Sequence, residues 1–420
     1  MSLYPTPTQP QPKSQPEPQV QTEAVTPQPA RAPKSLSELL SPQVRAMPPS
    51  GIRKFFDYTS GMKDVISLGV GEPDFVTPQI VRDACVSSLD KGRTSYTSNA
   101  GLPELREAIA EYIDGNYGVT YEPANEIMVT VGSSEAIDLA LRALITEGDE
   151  ILIPEPCYIS YSPIVFLGGG KPVGVETTAE NQFKLTADAL EAKLTDRSKV
   201  LVLCYPNNPT GGIMTYEDWL PIAKLVEERN LVVIADEIYS ELTYGDKHTS
   251  FASLPGMRDR TLLVNGFSKA FAMTGWRVGF VCGHRELISA MLKIHQYTVM
   301  CAPIMGQIAG LASLQVGMEE KDRMIESYNQ RRRAFVQGLR QIGLPCHEPQ
   351  GAFYAFPSIA HTGLSSEQFA HRLLQESKVV TVPGHVFGTG GEGFIRCSYA
   401  SSQLQLEEAL ERIRKFLDVV

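Results

Sequence analysis

The chain reads as an α/β protein: a large domain on a mostly parallel central sheet, then a smaller α+β domain. Three observations lead there. Between about residues 126 and 283 short apolar, β-branched runs recur, with helical patterns such as 216–229 between several of them; strands that alternate with helices form parallel sheets covered on both faces. After residue 306 the pattern changes to long helical stretches with a few isolated strands. A chain of 420 residues, 43% hydrophobic, is long enough for two domains with their own cores.

Taken in order, residues 1–34 hold nine prolines among Gln, Thr, Ser and Ala. Such a stretch buries too little apolar surface to offset its ordering entropy, so residues 1–40 are expected to be disordered. Residues 41–75 are expected to join the small domain, 76–305 to form the large one and 306–420 the small one. "SLSELL", starting at Ser35, has the form of a short helix capped by Ser35 or Ser37. The spacing of Leu105, Ala108, Ile109 and Ile113 predicts a helix over 103–118, stopped by glycine. A strand at 126–132 leads into a helix at 133–145. Further strands are expected at 150–156, 171–177, 199–206, 231–237, 261–266 and 277–283. Helices at about 306–342, strands near 350–356, 379–382 and 394–399, and a helix at 402–418 complete the chain.

Composition narrows the function classes. A net charge of −10 argues against a nucleic-acid binder, whose footprint is basic. Seven cysteines, odd in number and without a CxxC pair, form neither a disulfide framework nor a zinc site, and they predict a reducing compartment. The seven histidines contain no HExxH pair, so no metal is expected. No run of 18 apolar residues is present and the N-terminus lacks a signal-peptide core, so no membrane span and a cytoplasmic location are expected.

In parallel sheets ligands sit beyond the carboxyl ends of the strands, and there the sequence turns polar. Gly132-Ser133-Ser134-Glu135 opens a helix after a strand. Free N–H groups and a positive dipole end suit a phosphate, and plain serine capping is the competing reading. Asn207-Asn208-Pro209-Thr210-Gly211 follows another strand and is equally a simple Asn-Pro turn. Asp236 ends an apolar strand, where a carboxylate without a partner is costly; it reads as a site residue or as a cap. Tyr239 offers a phenol or a core ring. Lys269 and Arg277, eight residues apart in "NGFSKAFAMTGWRVG" (265–279), sit among small and apolar neighbours. One amine, one carboxylate, one amide, one phenol, one phosphate nest and one guanidinium converge. Pyridoxal 5′-phosphate, with an aldehyde, a ring nitrogen, a phenolic oxygen and a phosphate, would use all six.

These stretches resemble the class I/II aminotransferases, which are fold-type I pyridoxal-phosphate enzymes. "SKAFAMTGWRVG" (268–279) resembles the cofactor-lysine signature, "YPNNPTG" (205–211) the Asn-Pro-Thr-Gly element and "ADEIYSEL" (235–242) the Asp-x-x-Tyr element. "LGVGEPDFVTP" (68–78), "SYTSNAGLPELREAI" (95–109) and "GFIRCSYA" (393–400) resemble the N-terminal and C-terminal arginine elements. The match runs in order over about residues 40–418. Within the family the likeness is to the bacterial aspartate-type and N-acetyl-diaminopimelate aminotransferases, and "SPQVRAMPPSGIRKF" (41–55) and "HQYTVMCAP" (295–303) are similar to the latter.

The resemblance implies roles. Lys269 would join the cofactor aldehyde and then carry the proton between the substrate carbon and the cofactor. Asp236 would pair with the pyridine nitrogen, while Asn208 and Tyr239 would hydrogen-bond the phenolic oxygen. Arg277, Ser268, Ser133, Ser134 and the neighbouring Glu135 would surround the phosphate; Tyr158 would stack on the ring. Arg396 would clamp the substrate carboxylate in a two-pronged pair, beside Asn208, with Gly71 leaving room for it. Tyr96 would reach the cofactor phosphate of a second subunit, making the active unit a homodimer with shared sites. One departure stands out: Gly266 lies where the family often has Ser or Thr.

The implied reaction is ping-pong transfer of an amino group from an L-amino acid to a 2-oxo acid, 2-oxoglutarate being the expected acceptor and aspartate, an aromatic residue or N-acetyl-LL-diaminopimelate the candidate donors. The same cofactor cage serves β-lyases and decarboxylases, so that alternative stays open on sequence. A non-catalytic regulator would need a winged-helix domain, and only about 40 proline-rich residues precede the match. No residue for the distal end of the substrate is legible.

Overall fold

The computed structural model describes residues 35–49, 51 and 62–420. The proline-rich segment 1–34 and residues 50 and 52–55 of the 41–55 motif lie outside the described residues. Among the described residues, Ser35–Arg45 belong to one compact unit. Two short helices begin in it, α1 (Leu36–Leu39) and α2 (Pro42–Ala46). Ser35, not Ser37, caps α1: its side chain accepts from the Glu38 N–H while Glu38 accepts from the Ser35 N–H at 2.7 Å.

Ala46–Val420 form the second unit. It runs β1 (Ile66–Ser67), α3 (Gln79–Asp90), α4 (Pro103–Tyr117), β2 (Ile127–Thr130), α5 (Gly132–Leu144), β3 (Glu150–Glu155), α6 (Tyr161–Leu167) and β4 (Lys171–Glu176). Then come α7 (Ala187–Glu191), β5 (Ser198–Cys204), α8 (Tyr216–Glu228), β6 (Val232–Asp236), β7 (Thr261–Gly266), β8 (Gly279–Cys282) and α9 (Arg285–Thr298). The chain ends with α10 (Ile304–Val316), α11 (Met318–Gln341), β9 (Tyr354–Ala355), α12 (Ser366–Ser377), β10 (Val379–Val380), β11 (Val382–Pro383), β12 (Ile395–Ser398) and α13 (Gln403–Leu417).

Local chemistry sets these bounds. Pro103 stands in the first turn of α4, Leu105, Ile109 and Ile113 are buried along one face, and Gly118 closes the helix at φ +67°. The stretch expected as helix over 306–342 resolves into α10 and α11, parted at Gly317, the residue type least suited, after proline, to a helix interior.

Seven strands make the central sheet in the order β2-β8-β7-β6-β5-β3-β4. All its pairings are parallel except those of β8, which runs antiparallel to β2 and β7. Period-two alternation covers both faces. Ile151, Ile153, Val200, Val202 and Ile234 face one apolar cluster with α5 and α9, while Leu152, Leu201, Leu203, Val233 and Ala235 face another with α8. The parallel strands therefore end together at one edge. There β2 runs into Gly132, β5 into Asn208, β6 ends on Asp236, and β7 runs into Lys269.

A three-stranded antiparallel sheet, β11-β12-β9, lies in the C-terminal part, and β1 pairs in parallel with β10. That short pairing brings the segment before Gly69 against Arg396: Leu68 N–H donates to Val380 at 2.8 Å, and Ser398 N–H to Leu68 at 2.7 Å. No helix among the described residues is long and apolar enough to cross a membrane.

Candidate active site

At the carboxyl edge of the sheet lies a cavity of about 510 Å³, whose lining includes Ser133, Tyr158, Asn208, Asp236, Lys269 and Arg396. Most of the strand-end residues singled out from sequence meet here.

Lys269 Nζ donates to the Gly71 carbonyl at 2.6 Å. Burial pulls its pKa down to about 8, and Arg396 and Arg277 push the same way against Glu72 and Asp236. Above pH 8 the amine is therefore neutral, where an exposed lysine would be charged. In cofactor-free protein, the pH profile of Lys269 labelling by an amine-acylating reagent should have its midpoint near 8. A midpoint near the ordinary lysine value would contradict this.

Asp236 is 4% exposed. Its Oδ2 accepts from the Tyr161 hydroxyl at 2.6 Å and its Oδ1 from the Ile238 N–H at 3.3 Å. Burial nonetheless raises its pKa to about 6, the two hydrogen bonds opposing that shift. Two donors do not fully offset the desolvation, so a cationic ring nitrogen would find a carboxylate ready to pair. Tyr161 was not legible in sequence, where it reads as a core aromatic.

The part of the cavity expected to take a phosphate is formed by the start of α5 and by Arg277. Gly132 has φ +75°, and a Cβ there would lie 2.6 Å from Arg277 Nη2. Glycine thus supplies both the left-handed turn and the space for the guanidinium. Arg277 donates to the carbonyls of Thr274 at 3.1 Å and Val131 at 3.5 Å, itself in a left-handed conformation at φ +52°. Ser133, Ser134, Ser268 and Thr274 line the same cavity, Thr274 being unremarked in sequence. Substituting Gly132→Ala should weaken cofactor affinity about tenfold while costing roughly 1 kcal/mol of stability. Titration of cofactor absorbance checks the first and thermal melting the second.

One expectation needs correcting. Glu135 does not line the cavity: its Oε2 accepts from the Val131 N–H at 2.5 Å, and its Oε1 meets Nδ1 of the buried His295 at 2.9 Å. It braces the turn that presents Ser133 and Ser134 to the cavity, its carboxylate turned to Val131 and His295. Gly71 lines the cavity, and a Cβ on it would lie 2.6 Å from the Tyr354 hydroxyl, so a larger residue would crowd that wall. Gly266 owes its identity to packing. It sits opposite Gly279 in the β7–β8 register, and a Cβ on it would lie 2.9 Å from the Gly279 Cα. Gly279 in turn lies against the backbone of Gly132 and Ser133.

Asn207 and Asn208 divide the work of their turn. Asn207 Oδ1 accepts from both the N–H and the hydroxyl of Thr210, at 3.0 and 2.8 Å, and fixes the turn. Asn208 faces the cavity, and its Oδ1 accepts from Arg396 Nη1 at 2.8 Å. Arg396 is 3% exposed; its Nη2 donates to the Gly69 carbonyl at 2.7 Å, and its Nε is buried without a partner. Tyr239 shares a hydrogen bond with Tyr354 at 2.9 Å, burial holding its phenol well above the ordinary range. Tyr158 lines the wall edge-on to Tyr161. Tyr96 is outside the cavity and 81% exposed. Its loop is anchored by Gln307, which donates to Thr97 at 3.0 Å and accepts from the Leu102 N–H at 2.7 Å.

A lysine of lowered pKa, a buried carboxylate and two arginines lining one cavity at the carboxyl edge of this sheet fit pyridoxal phosphate, the cofactor of fold-type I enzymes. The family model described as aminotransferase class I and II matches residues 63–413, and the chain belongs to that family. The YugH protein of Bacillus subtilis is 54% identical over 382 residues, spanning 91% of this chain and 99% of that one. An aspartate aminotransferase of Pyrococcus abyssi is 46% identical over 381 residues, 90% and 98% of the two chains. The crystal structure of an aromatic aminotransferase from Pyrococcus horikoshii aligns with a TM-score of 0.83 at 44% identity, covering 87% of this chain and 98% of that one. The protein is thus a pyridoxal-phosphate-dependent aminotransferase, with amino-acid and 2-oxo-acid substrates.

Proposed function

We propose that this cavity transfers the amino group of an L-amino acid to 2-oxoglutarate in two half-reactions, with Lys269 as the proton carrier. The observation that carries the reading is the Lys269 amine, its pKa lowered by burial, lining one cavity with Asp236 and Arg396. Bound there, pyridoxal phosphate supplies an aldehyde that receives the amino group and a ring that withdraws electrons from the substrate α-carbon.

The chain's residues do the rest. Lys269, as the free base, takes the proton from the α-carbon and returns it to the cofactor side. Asp236 holds a proton on the ring nitrogen, and the Tyr161 hydroxyl keeps Asp236 ionised and aimed. Asn208 and Tyr239 donate to the phenolic oxygen, and Tyr158 covers the ring. Arg277, Ser133, Ser134, Ser268 and the first N–H groups of α5 bind the phosphate. Arg396 binds the substrate α-carboxylate. Tyr96, exposed on its anchored loop, completes the phosphate site of a second copy, so the working form is a homodimer. A cytoplasmic location accords with seven unpaired cysteines.

Among the described lining residues the cations are Lys269, Arg277 and Arg396, each with a role already. Much of the remaining lining is tyrosine and isoleucine beside the acidic Glu72, which supports an aromatic donor over aspartate and N-acetyl-LL-diaminopimelate. The distal carboxylate of 2-oxoglutarate would be met from the second copy. A donor panel with 2-oxoglutarate, read by glutamate formation, tests this: aromatic donors should give the highest kcat/KM. Preference for aspartate would contradict the donor assignment. Release of pyruvate and ammonia from cystathionine, without amino transfer, would favour a lyase instead.

A further inference from the structure

Arg396 is buried, yet among the described residues no carboxylate pairs with it. Its edges are taken by Asn208 and the Gly69 carbonyl, and two rings pack on it: the guanidinium carbon lies 4.5 Å from the Tyr354 ring centre and 5.0 Å from that of Phe387. Aromatic faces stabilise a desolvated cation without neutralising it, which keeps the guanidinium free to take a carboxylate as its counter-ion.

Phe387 is placed by an unusual loop, Gly384–Gly391. At its base Gly384 and Gly391 touch so closely that a Cβ on either would lie 1.9 or 2.1 Å from the other's carbonyl oxygen. Its tip is tied to the end of β3. The Phe387 carbonyl accepts from the Cys157 N–H at 2.9 Å, and Glu155 Oε2 accepts from the N–H and hydroxyl of Thr389 at 3.0 and 3.3 Å. Glycines make room for that carboxylate on both sides: a Cβ on Gly174 or Gly388 would lie 2.9 or 2.5 Å from its Cδ. Glu155 thus links the strand that leads to Tyr158 with the loop that presses on the arginine.

We propose that Phe387 is a positioning residue for substrate carboxylate binding, and that Glu155 acts through it by clasping the loop. This rests on the reading of Arg396 as the carboxylate site. Phe387→Leu keeps most of the bulk and removes the ring face; Phe387→Tyr keeps both. With the best donor of the panel and 2-oxoglutarate, Phe387→Leu should raise both KM values about tenfold, the scale of a desolvated cation–ring contact. The change in kcat should stay within about threefold, as expected for lost binding common to ground and transition states. Cofactor absorbance and affinity should not change. Phe387→Tyr should restore KM, and Glu155→Gln should shift it in the same direction by less. Arg396→Lys is run alongside. If it raises KM while Phe387→Leu does not, the positioning role is overturned and the Arg396 reading stands. If Arg396→Lys leaves KM unchanged, the Arg396 reading falls and this inference with it. Lower cofactor affinity or melting temperature in Phe387→Leu at unchanged KM would mark a packing role and also overturn the proposal.

Discussion

Replacing Lys269 by alanine should lower amino transfer by at least about 10⁴-fold, because one change removes both the cofactor's attachment point and the general base. The cofactor should still bind through Arg277 and Asp236, but without the absorbance band of its lysine-bound form. The distinction matters, because a variant that merely unfolds would lose cofactor, band and activity together. Lys269 is held by a single hydrogen bond to Gly71 within a wall of rings, and alanine leaves that wall standing. Normal turnover by Lys269→Ala, in protein shown by mass to carry the substitution, would refute the assignment.

Asp236→Asn should reduce kcat/KM by about 10²–10³-fold, the range for removing one preorganised electrostatic partner. It should act oppositely on stability. The Asp236 pKa is near 6 in the folded protein, above its ordinary value of 3.8. Between those values the native state holds a proton that the unfolded chain has released, so stability falls as pH rises from about 4 to 6 and stays reduced above. Cofactor-free Asp236→Asn lacks this penalty. At pH 7.5 it should melt above the wild-type protein, and the difference should close toward pH 4. Equal melting temperatures at both pH values would show that Tyr161 and Ile238 already satisfy the carboxylate.

How much of this was legible depended on how each residue departs from its surroundings. Asp236, Asn208 and Lys269 interrupt apolar or turn sequence at the ends of strands, and a polar group there announces itself; the fold brings all three to one cavity. Tyr161 and Tyr354 were illegible for the opposite reason. An aromatic ring in an apolar stretch reads as core, and both are almost fully buried; only the tertiary fold shows their hydroxyls bonded to Asp236 and Tyr239. Glu135 misled because sequence adjacency to two serines carries no information about direction. Its side chain turns back to its own helix start and to His295, 160 residues on.

The central sheet was readable because its strands are long enough for apolar runs and, from β2 to β6, are separated by helices. β1 and β10 are two residues each, too short for any period, and their pairing depends on partners more than 300 residues apart. The Gly266 departure became intelligible only from the register. Where β7 and β8 meet glycine to glycine under the start of α5, no hydroxyl-bearing side chain fits without backbone movement.

Lys269 is the proposed residue to which the cofactor is joined and through which the proton moves. Borohydride reduction of the pyridoxal-phosphate-loaded protein, followed by proteolysis and mass mapping, tests it directly. One phosphopyridoxyl group per chain is expected, on the peptide containing Ser268-Lys269-Ala270. A label on another lysine, with Lys269 unmodified in active protein, would contradict it.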